Sequence, residues 1–595
     1  MSEKPTLKQI LPQLQSWCAV NNVSVQSVYD ECHGMTLQEI VYYLLGVVRE
    51  AVNQVVENTD AFNELENKFN NLYNFVNNYF DNLDVQEEIN NKLDEMFKSG
   101  QLNELLKLFI PYVTPQMFGA KGDGETDDTT AINNACDTGI PVIIPKTNKF
   151  YLITSPINVQ NDFINYGELS YAYSSQSGNW GTEILNLNNI SNIKITGGIL
   201  NGNRNLGYNM YDPSLSDDEY GHGISLKSCK NITIENIEIK NCQGDGICLE
   251  AGKNNINNSF IVINNCNIHD NYRQGISFVG AENSTINNSN IHNNLRSGIN
   301  FEPYLSTSKC INVKAYNNDI HLNNGNCIEI YCANENTGDF IIIEDNNIIN
   351  NSNLSTGSYA IFISATSINS IGNITINNNT IQNTTKGQRT ISTTGINTAI
   401  NKMIISNNNI SGVADSSRLQ ITAGILSVFN NIIPSFIDAN TTALLCLNNI
   451  INNTNDTTNP IINVSGNVFI IESNIINCRT ALVTSVTNNV VVKINNNQIS
   501  YSNPSTAIFN MNSAQGLLEY LNNHDNINVN ANTFIGTSNI KVNMLYNKYF
   551  YNQDSSPNFN YDLGDIILYN DPITTGYIGR VYNGTTFVNF GKLET

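Results

Sequence analysis

Eight side chains able to bind or move a proton recur at matching places in a repeating stretch: His222, Lys227, Asp245, Glu250, Arg273, Arg296, Glu302 and Glu329. They come into register when "GHGISLK", "GDGICLE", "RQGISFV", "RSGINFE" and "GNCIEIY" are aligned on Gly223, Gly246, Gly275, Gly298 and Cys327, which lie 23, 29, 23 and 29 residues apart. If each segment is a strand, Ile247, Ile276, Ile299 and Ile328 point inward and their neighbours alternate outward. One outward column is Ser225, Cys248, Ser277, Asn300 and Glu329. A second is Lys227, Glu250, Val279, Glu302 and Tyr331. A third, just before the anchors, is His222, Asp245, Gln274, Ser297 and Asn326. One face therefore collects carboxylates with cations beside them. In such a pair one carboxyl can protonate a leaving oxygen while the other activates water. Glu250 and Glu302 fall two rungs apart, about 9.6 Å, and Glu302 and Glu329 about 8 Å apart, at ~4.8 Å per rung. Both lie near the ~6.5–9.5 Å of inverting glycosidases and not the ~5–5.5 Å of retaining ones. The catalytic candidates are Glu250, Glu302, Glu329, Asp245 and His222, with Arg273, Arg296, Lys227 and Tyr331 as substrate contacts. The competing reading is a solvated polar face laced by ion pairs such as Lys227–Glu250.

A separate column holds His269, His292 and His321, each six residues before its anchor, with Lys240 in the same place one rung earlier. His269 and His292 are candidate contacts to a phosphate-rich polymer; a surface ladder is the alternative. No cofactor is expected. The 12 cysteines are scattered without a CxxC and suit buried free thiols in a reducing cytosol. No motif supports a calcium ion.

The element that positions these columns is the repeat itself. A second line of it runs "NNCNIHD", "NNSNIHN", "NNDIHLN", "DNNIINN", "NNNTIQN" and onward to "NNNQIS" near residue 500. One unit of short strands cannot bury its apolar face alone, whereas stacked units bury a continuous Ile column. Asn suits the turns because it tolerates left-handed backbone angles. The expected fold is mainly β: a right-handed parallel β-helix over 113–545, with 113–145 as its capping helix and first strand. A leucine-rich horseshoe is excluded by the absence of LxxLxL and of a helix after each strand. Residues 1–112 read as helical, with a heptad seam at Leu65, Phe69, Leu72, Val76, Tyr79 and Leu83 that predicts a coiled coil. Residues 546–595 predict a small C-terminal β module.

The glycine- and acid-rich "FGAKGDGETDDT" fails as a phosphate loop, since Lys121 precedes the second glycine, and as an EF-hand, since the ligand spacing is absent. Its Thr126 and aspartates suit a helix N-cap, and Ala131, Ile132, Ala135 and Cys136 give that helix one apolar face, a lid on the first rung. The stretch "FGAKGDGETDDTTAINNA…VIIPKTNKFYLI", together with the repeats, resembles the pectate-lyase-like β-helix domain of bacteriophage tailspikes and pre-neck appendages over roughly 115–545. "NYFDNLDVQEEINNKLDEM" is similar to N-terminal segments of phage tail proteins, and "GDIILYN…GYIGRVYNG" to their small C-terminal modules. The resemblance implies a homotrimeric, receptor-binding virion appendage. It would be attached to tail or collar proteins by its N-terminal helices and would often depolymerise a capsule or wall glycan. Further readings are an adhesin of the same fold, a polysaccharide lyase served by Arg273 and Arg296, and a teichoic-acid phosphodiesterase.

A net charge of −22 disfavours a nucleic-acid partner, which needs clustered Lys and Arg. "MSEKPTLKQI" is no signal peptide, so synthesis in a host cytoplasm is expected and a secreted pectinase is the least suitable reading. "IVYYLLGVV" is too short to span a bilayer.

Overall fold

The computed structural model describes residues 111–501, apart from 173–182, 204–220, 253–254, 352–357, 385–388, 396–397, 413–417, 435, 454–461, 479–482 and 485–489; beyond 501 it describes short stretches, mostly strands, ending at Lys592. The heptad seam lies outside the described residues.

The chain winds into coils of three short strands, and each strand pairs in parallel with its counterpart in the next coil. One coil runs Ile247–Glu250, Asn258–Asn264 and Asn267–His269; the next runs Ile276–Phe278, Ala281–Asn287 and Asn290–His292. This is a parallel β-helix. The register is the one the anchors predict: Ile224, Ile247, Ile276, Ile299, Ile328 and Ile361 pair in succession. All six are fully buried, as are the Phe278 and Phe301 rings stacked beside them at 5.0 Å. The third strands form one sheet of 15. Its fourteen steps give a stack of roughly 67 Å at ~4.8 Å each.

The anchor glycines have a steric cause. A Cβ on Gly246 would meet the Gly275 carbonyl oxygen at 2.6 Å, and one on Gly275 would meet that of Gly298 at 2.6 Å. Successive coils approach too closely there for a side chain.

Asn richness has two causes, which act in adjacent residues. At Asn317, Asn378, Asn407, Asn430, Asn448 and Asn496 the backbone is left-handed, where Asn is among the least strained residues. The next residue is a buried Asn that builds a side-chain ladder along the stack: Asn318, Asn346, Asn379, Asn408, Asn431, Asn449, Asn474, Asn497 and Asn523. Each carboxamide nitrogen donates to the carboxamide oxygen of the next, at 2.9–3.0 Å. The same oxygens accept the backbone N–H of the preceding ladder residue, so the amides are paired within the protein. Successive ladder residues lie 28, 33, 29, 23, 18, 25, 23 and 26 apart in sequence.

The opening stretch folds as a lid. The helix is Thr129–Cys136, and of the N-cap candidates it is the aspartate Asp128 that takes the position. The Asp128 carboxylate turns back to accept the Lys121 and Gly122 N–H groups, at 2.7 and 3.0 Å, while Asp123 accepts the Thr126 N–H and hydroxyl. Those bonds hold Asp123 down to about 2. The acids that could have bound an ion therefore tie up their own loop. Ala131, Ile132, Ala135 and Cys136 are buried against the first coil, as the apolar face predicts. At the other end, Phe550–Tyr551, Ile566–Tyr569, Tyr577–Tyr582 and Phe587–Lys592 form a separate four-stranded sheet, antiparallel from the second strand onward. The nine cysteines whose side chains are described are all free and buried, and burial pushes Cys327 and Cys332 up to about 12.

Candidate functional site

The first strands bring the predicted columns together. Ser225, Cys248, Ser277, Asn300 and Glu329 stack in register, and Lys227 pairs with Glu250. The third column follows through the backbone ladder: Gly223 donates to Asp245, Gly246 to Gln274, Gly275 to Ser297 and Gly298 to Asn326. The columns point away from the Ile core; the second column (Lys227, Glu250, Val279, Glu302 and Tyr331) is part-exposed and holds the Lys227–Glu250 ion pair of the competing reading, while most of the other two is covered. His222, Ser225, Asp245, Cys248, Gln274, Ser277, Ser297 and Asn300 are all buried.

Two charge clusters occupy this face. In the first, Lys227 Nζ lies 3.3 Å from Glu183 and 3.5 Å from Glu250, whose other oxygen is 3.6 Å from His222 Nε2. Burial alone would raise the Glu250 carboxyl; His222 and Lys227 outweigh it and hold Glu250 below the ordinary carboxylate value. Burial alone would lower Lys227, but Glu250 and Glu183 hold it above the ordinary value, so it stays protonated. Glu183 was not read from the sequence. It lies just before the strand Leu185–Asn188, which pairs Leu185 with Ile224, a gap of 39 residues that hides it from the 23- and 29-residue repeat.

In the second cluster, Glu302 accepts from the Asn300 amide at 2.7 Å and Glu329 accepts the Ser297 hydroxyl at 2.5 Å. Burial raises Glu302 above the ordinary carboxylate value. The negative charges of Glu329 and Asp245 add to the rise, against Arg273 and the Asn300 amide. Arg273 is buried, with Nε 3.6 Å from Asp245. Arg296 is exposed, so the two arginines do not act as a pair. Tyr331 ends up half-buried, in register with Ser364.

A ring nitrogen of His222, Cys248 Sγ and a Glu250 oxygen lie within 4.8 Å of one another, a grouping that could in principle hold a metal. The tautomer argues against it. His222 Nδ1 accepts the Asp245 N–H at 3.0 Å, so the ring hydrogen sits on Nε2, which then has no lone pair to offer. The Lys227 ammonium beside Glu250 would also repel a cation.

Ser225 Oγ, Gln274 Oε1, Ser277 Oγ and Asn300 Oδ1 are buried on this same face and make no hydrogen bond to any described residue. Buried polar atoms are normally paired.

The histidines stack as the repeat predicts but on another sheet. His269, His292 and His321 are in register on third strands, with ring centroids 4.8 and 5.1 Å apart and planes within 3° and 2°. The Nε2 atoms of His292 and His321 lie 3.2 and 3.1 Å from the Asn267 and Asn290 side-chain oxygens, and His269 Nδ1 is 2.6 Å from Asp270. Burial lowers His292, and its two histidine neighbours lower it further. This column does not join the carboxylates.

The family model for the right-handed β-helix region matches residues 188–373. The pre-neck appendage protein of Bacillus phage phi29 is 21% identical over 223 residues, 34% of this chain and 25% of that protein. Polygalacturonase-2 of Solanum lycopersicum is 26% identical over 199 residues, 31% of this chain and 41% of that protein. The solved N-terminal fragment of the phi29 gene product 12 aligns with a TM-score of 0.38 and 16% identity, covering 72% of this chain and 68% of that one. The chain thus spans between 25% and 41% of the length of these two relatives. The likeness to phage pre-neck appendage proteins that the opening stretch and repeats pointed to is met in these matches. Among the described residues no helix is long and apolar enough to cross a membrane.

Proposed function

We propose, proceeding from a right-handed β-helix similar to phage pre-neck appendage proteins, that this protein is a virion appendage whose first-strand face binds and hydrolyses a bacterial surface polysaccharide. The observation that carries the reading is one face on which two part-exposed carboxyls are pushed in opposite directions above buried, unpaired polar atoms. Carboxyl pairs whose environments separate their proton affinities mark an acid and a base. Glu302, raised, protonates the leaving glycosidic oxygen. Glu250, kept ionised by His222 and Lys227, activates water. Their two-coil separation, about 9.6 Å, lies just beyond the inverting range of ~6.5–9.5 Å and far from the ~5–5.5 Å of retaining enzymes. Homotrimerisation, and attachment to the tail or collar through residues 1–112, belong to the same proposal.

A lyase needs a base that takes a proton from a sugar carbon. Lys227 is held charged between two carboxylates and Arg273 is engaged by Asp245, so neither is disposed to that step. The test is incubation of purified protein with host capsule and wall fractions, reading new reducing ends and product masses. Hydrolysis gives saturated ends, a lyase gives unsaturated absorbing ends, and a pure adhesin gives neither while still blocking phage adsorption.

Glu329 tunes the acid. Glu329→Gln removes a negative neighbour that helps keep Glu302 protonated. Activity requires the protonated form and is lost as pH rises through the Glu302 pKa. The alkaline limb of the pH–rate profile is therefore expected to move to lower pH in Glu329→Gln, with little change at the acid side. An unmoved limb would remove Glu329 from this role.

A further inference from the structure

The left-handed backbone positions among the described residues hold Asn, Asp, Ser or Gly, with three exceptions: Phe260, Leu322 and Phe340. A bulky side chain there is a strained outlier, and such strain concentrates where a side chain serves a ligand. All three are exposed, at 49%, 41% and 54%. The two phenylalanines share one column. It starts the second strand of each coil and runs Asn231, Phe260, Asn283, Asn312, Phe340, placed by the paired residues on either side. Every member is left-handed, with Phe260 at φ 57° and Phe340 at φ 49°. Asn283 and Asn312, between the rings, are joined by a side-chain hydrogen bond of 2.8 Å. The same coils carry the carboxylates: Glu250 precedes Phe260 in one, Glu302 precedes Asn312 in another, and Glu329 precedes Phe340 in the next.

We propose that Phe260 and Phe340 end a second carbohydrate-contact surface, on which the polysaccharide rests its apolar ring faces on the two phenyl groups and its hydroxyls on Asn283 and Asn312. The rings stand three coils apart, about 14 Å, long enough for a run of sugars. A saccharide alternates apolar faces with polar edges, as this column does. A second copy of the chain is the poorer occupant, because a dry interface would bury the donors and acceptors that the Asn283–Asn312 bond leaves over. The occupant is the polymer of the proposed hydrolytic site, and in that respect the inference rests on that reading.

The test uses the full chain and the double variant Phe260→Asn, Phe340→Asn on a printed array of purified bacterial capsular polysaccharides and wall teichoic acids. Thermal unfolding and light scattering run alongside. Asn is the residue this column otherwise uses, so Tm is expected to hold or rise, the mass to stay constant, and array binding to fall at least about tenfold. Four results overturn the proposal: binding retained, no array member bound by the unaltered protein, a lower Tm, or a lower mass that marks the rings as a subunit contact. Binding lost in the double variant, with no polymer cleaved by the unaltered protein, leaves this surface standing and removes the hydrolytic reading.

Discussion

Replacing Glu302 by Gln is expected to abolish release of reducing ends from the polymer, a loss of roughly 10²–10⁴-fold set by removing a positioned general acid. The substitution should leave the fold intact. Gln has the same shape and can still present an oxygen to the Asn300 amide, which now donates to Glu302 at 2.7 Å. Stability should hold or rise at neutral pH. The folded-state pKa of Glu302 is raised, so its favourable contribution is complete below the unfolded value and is lost as pH rises through the folded one. Gln carries no charge to bury. The variant should also bind polymer as before, which separates it from a damaged surface. Undiminished cleavage with an unchanged pH profile would take Glu302 out of the mechanism.

Asn431→Ala is expected to be the most damaging single change in the scaffold. The Asn431 side-chain oxygen accepts both the backbone and the side-chain N–H of Asn408, each at 2.9 Å, and its nitrogen donates to the Ile405 carbonyl and to Asn449. Truncation strands groups on both neighbouring coils, at ~1–3 kcal/mol for each buried group left unpaired, so at least about 3 kcal/mol in all. The adjacent Asn430→Ala strains a left-handed residue but strands no buried amide, and should cost only about 1 kcal/mol. Hydrogen exchange is the direct measurement, because a stacked fold opens locally and need not unfold as one unit. Amides near 405–449 should lose protection in Asn431→Ala and not in Asn430→Ala. Equal behaviour of the two variants would mean that the ladder contributes little.

The register of the site was legible in the sequence because strand side chains alternate with a strict period of two and the anchors recur. That logic placed Ser277, Asn300 and Glu329 in one column without any coordinates. Three things were not legible. Periodicity says which way Asp245 points but not whether it is buried. It could not part Arg273 from Arg296, adjacent in the repeat yet one buried and one exposed. It also passed over Glu183, which sits beyond a gap longer than the repeat. Phe260 and Phe340 did leave a signal: each stands where other coils carry Asn, a substitution visible once the second strands are aligned.

The ladder of carboxamides also bears on how the molecule can change. Coil length varies from 18 to 33 residues between consecutive ladder members, yet no link is missing. The extra residues must therefore leave the stack through the other turns and return without shifting the next Asn. Such a frame accepts insertions where the chain faces outward and rejects them at a single corner. A lineage could lengthen or exchange the outward segments while every coil keeps its place, so that the surface is renewed without rebuilding the stack.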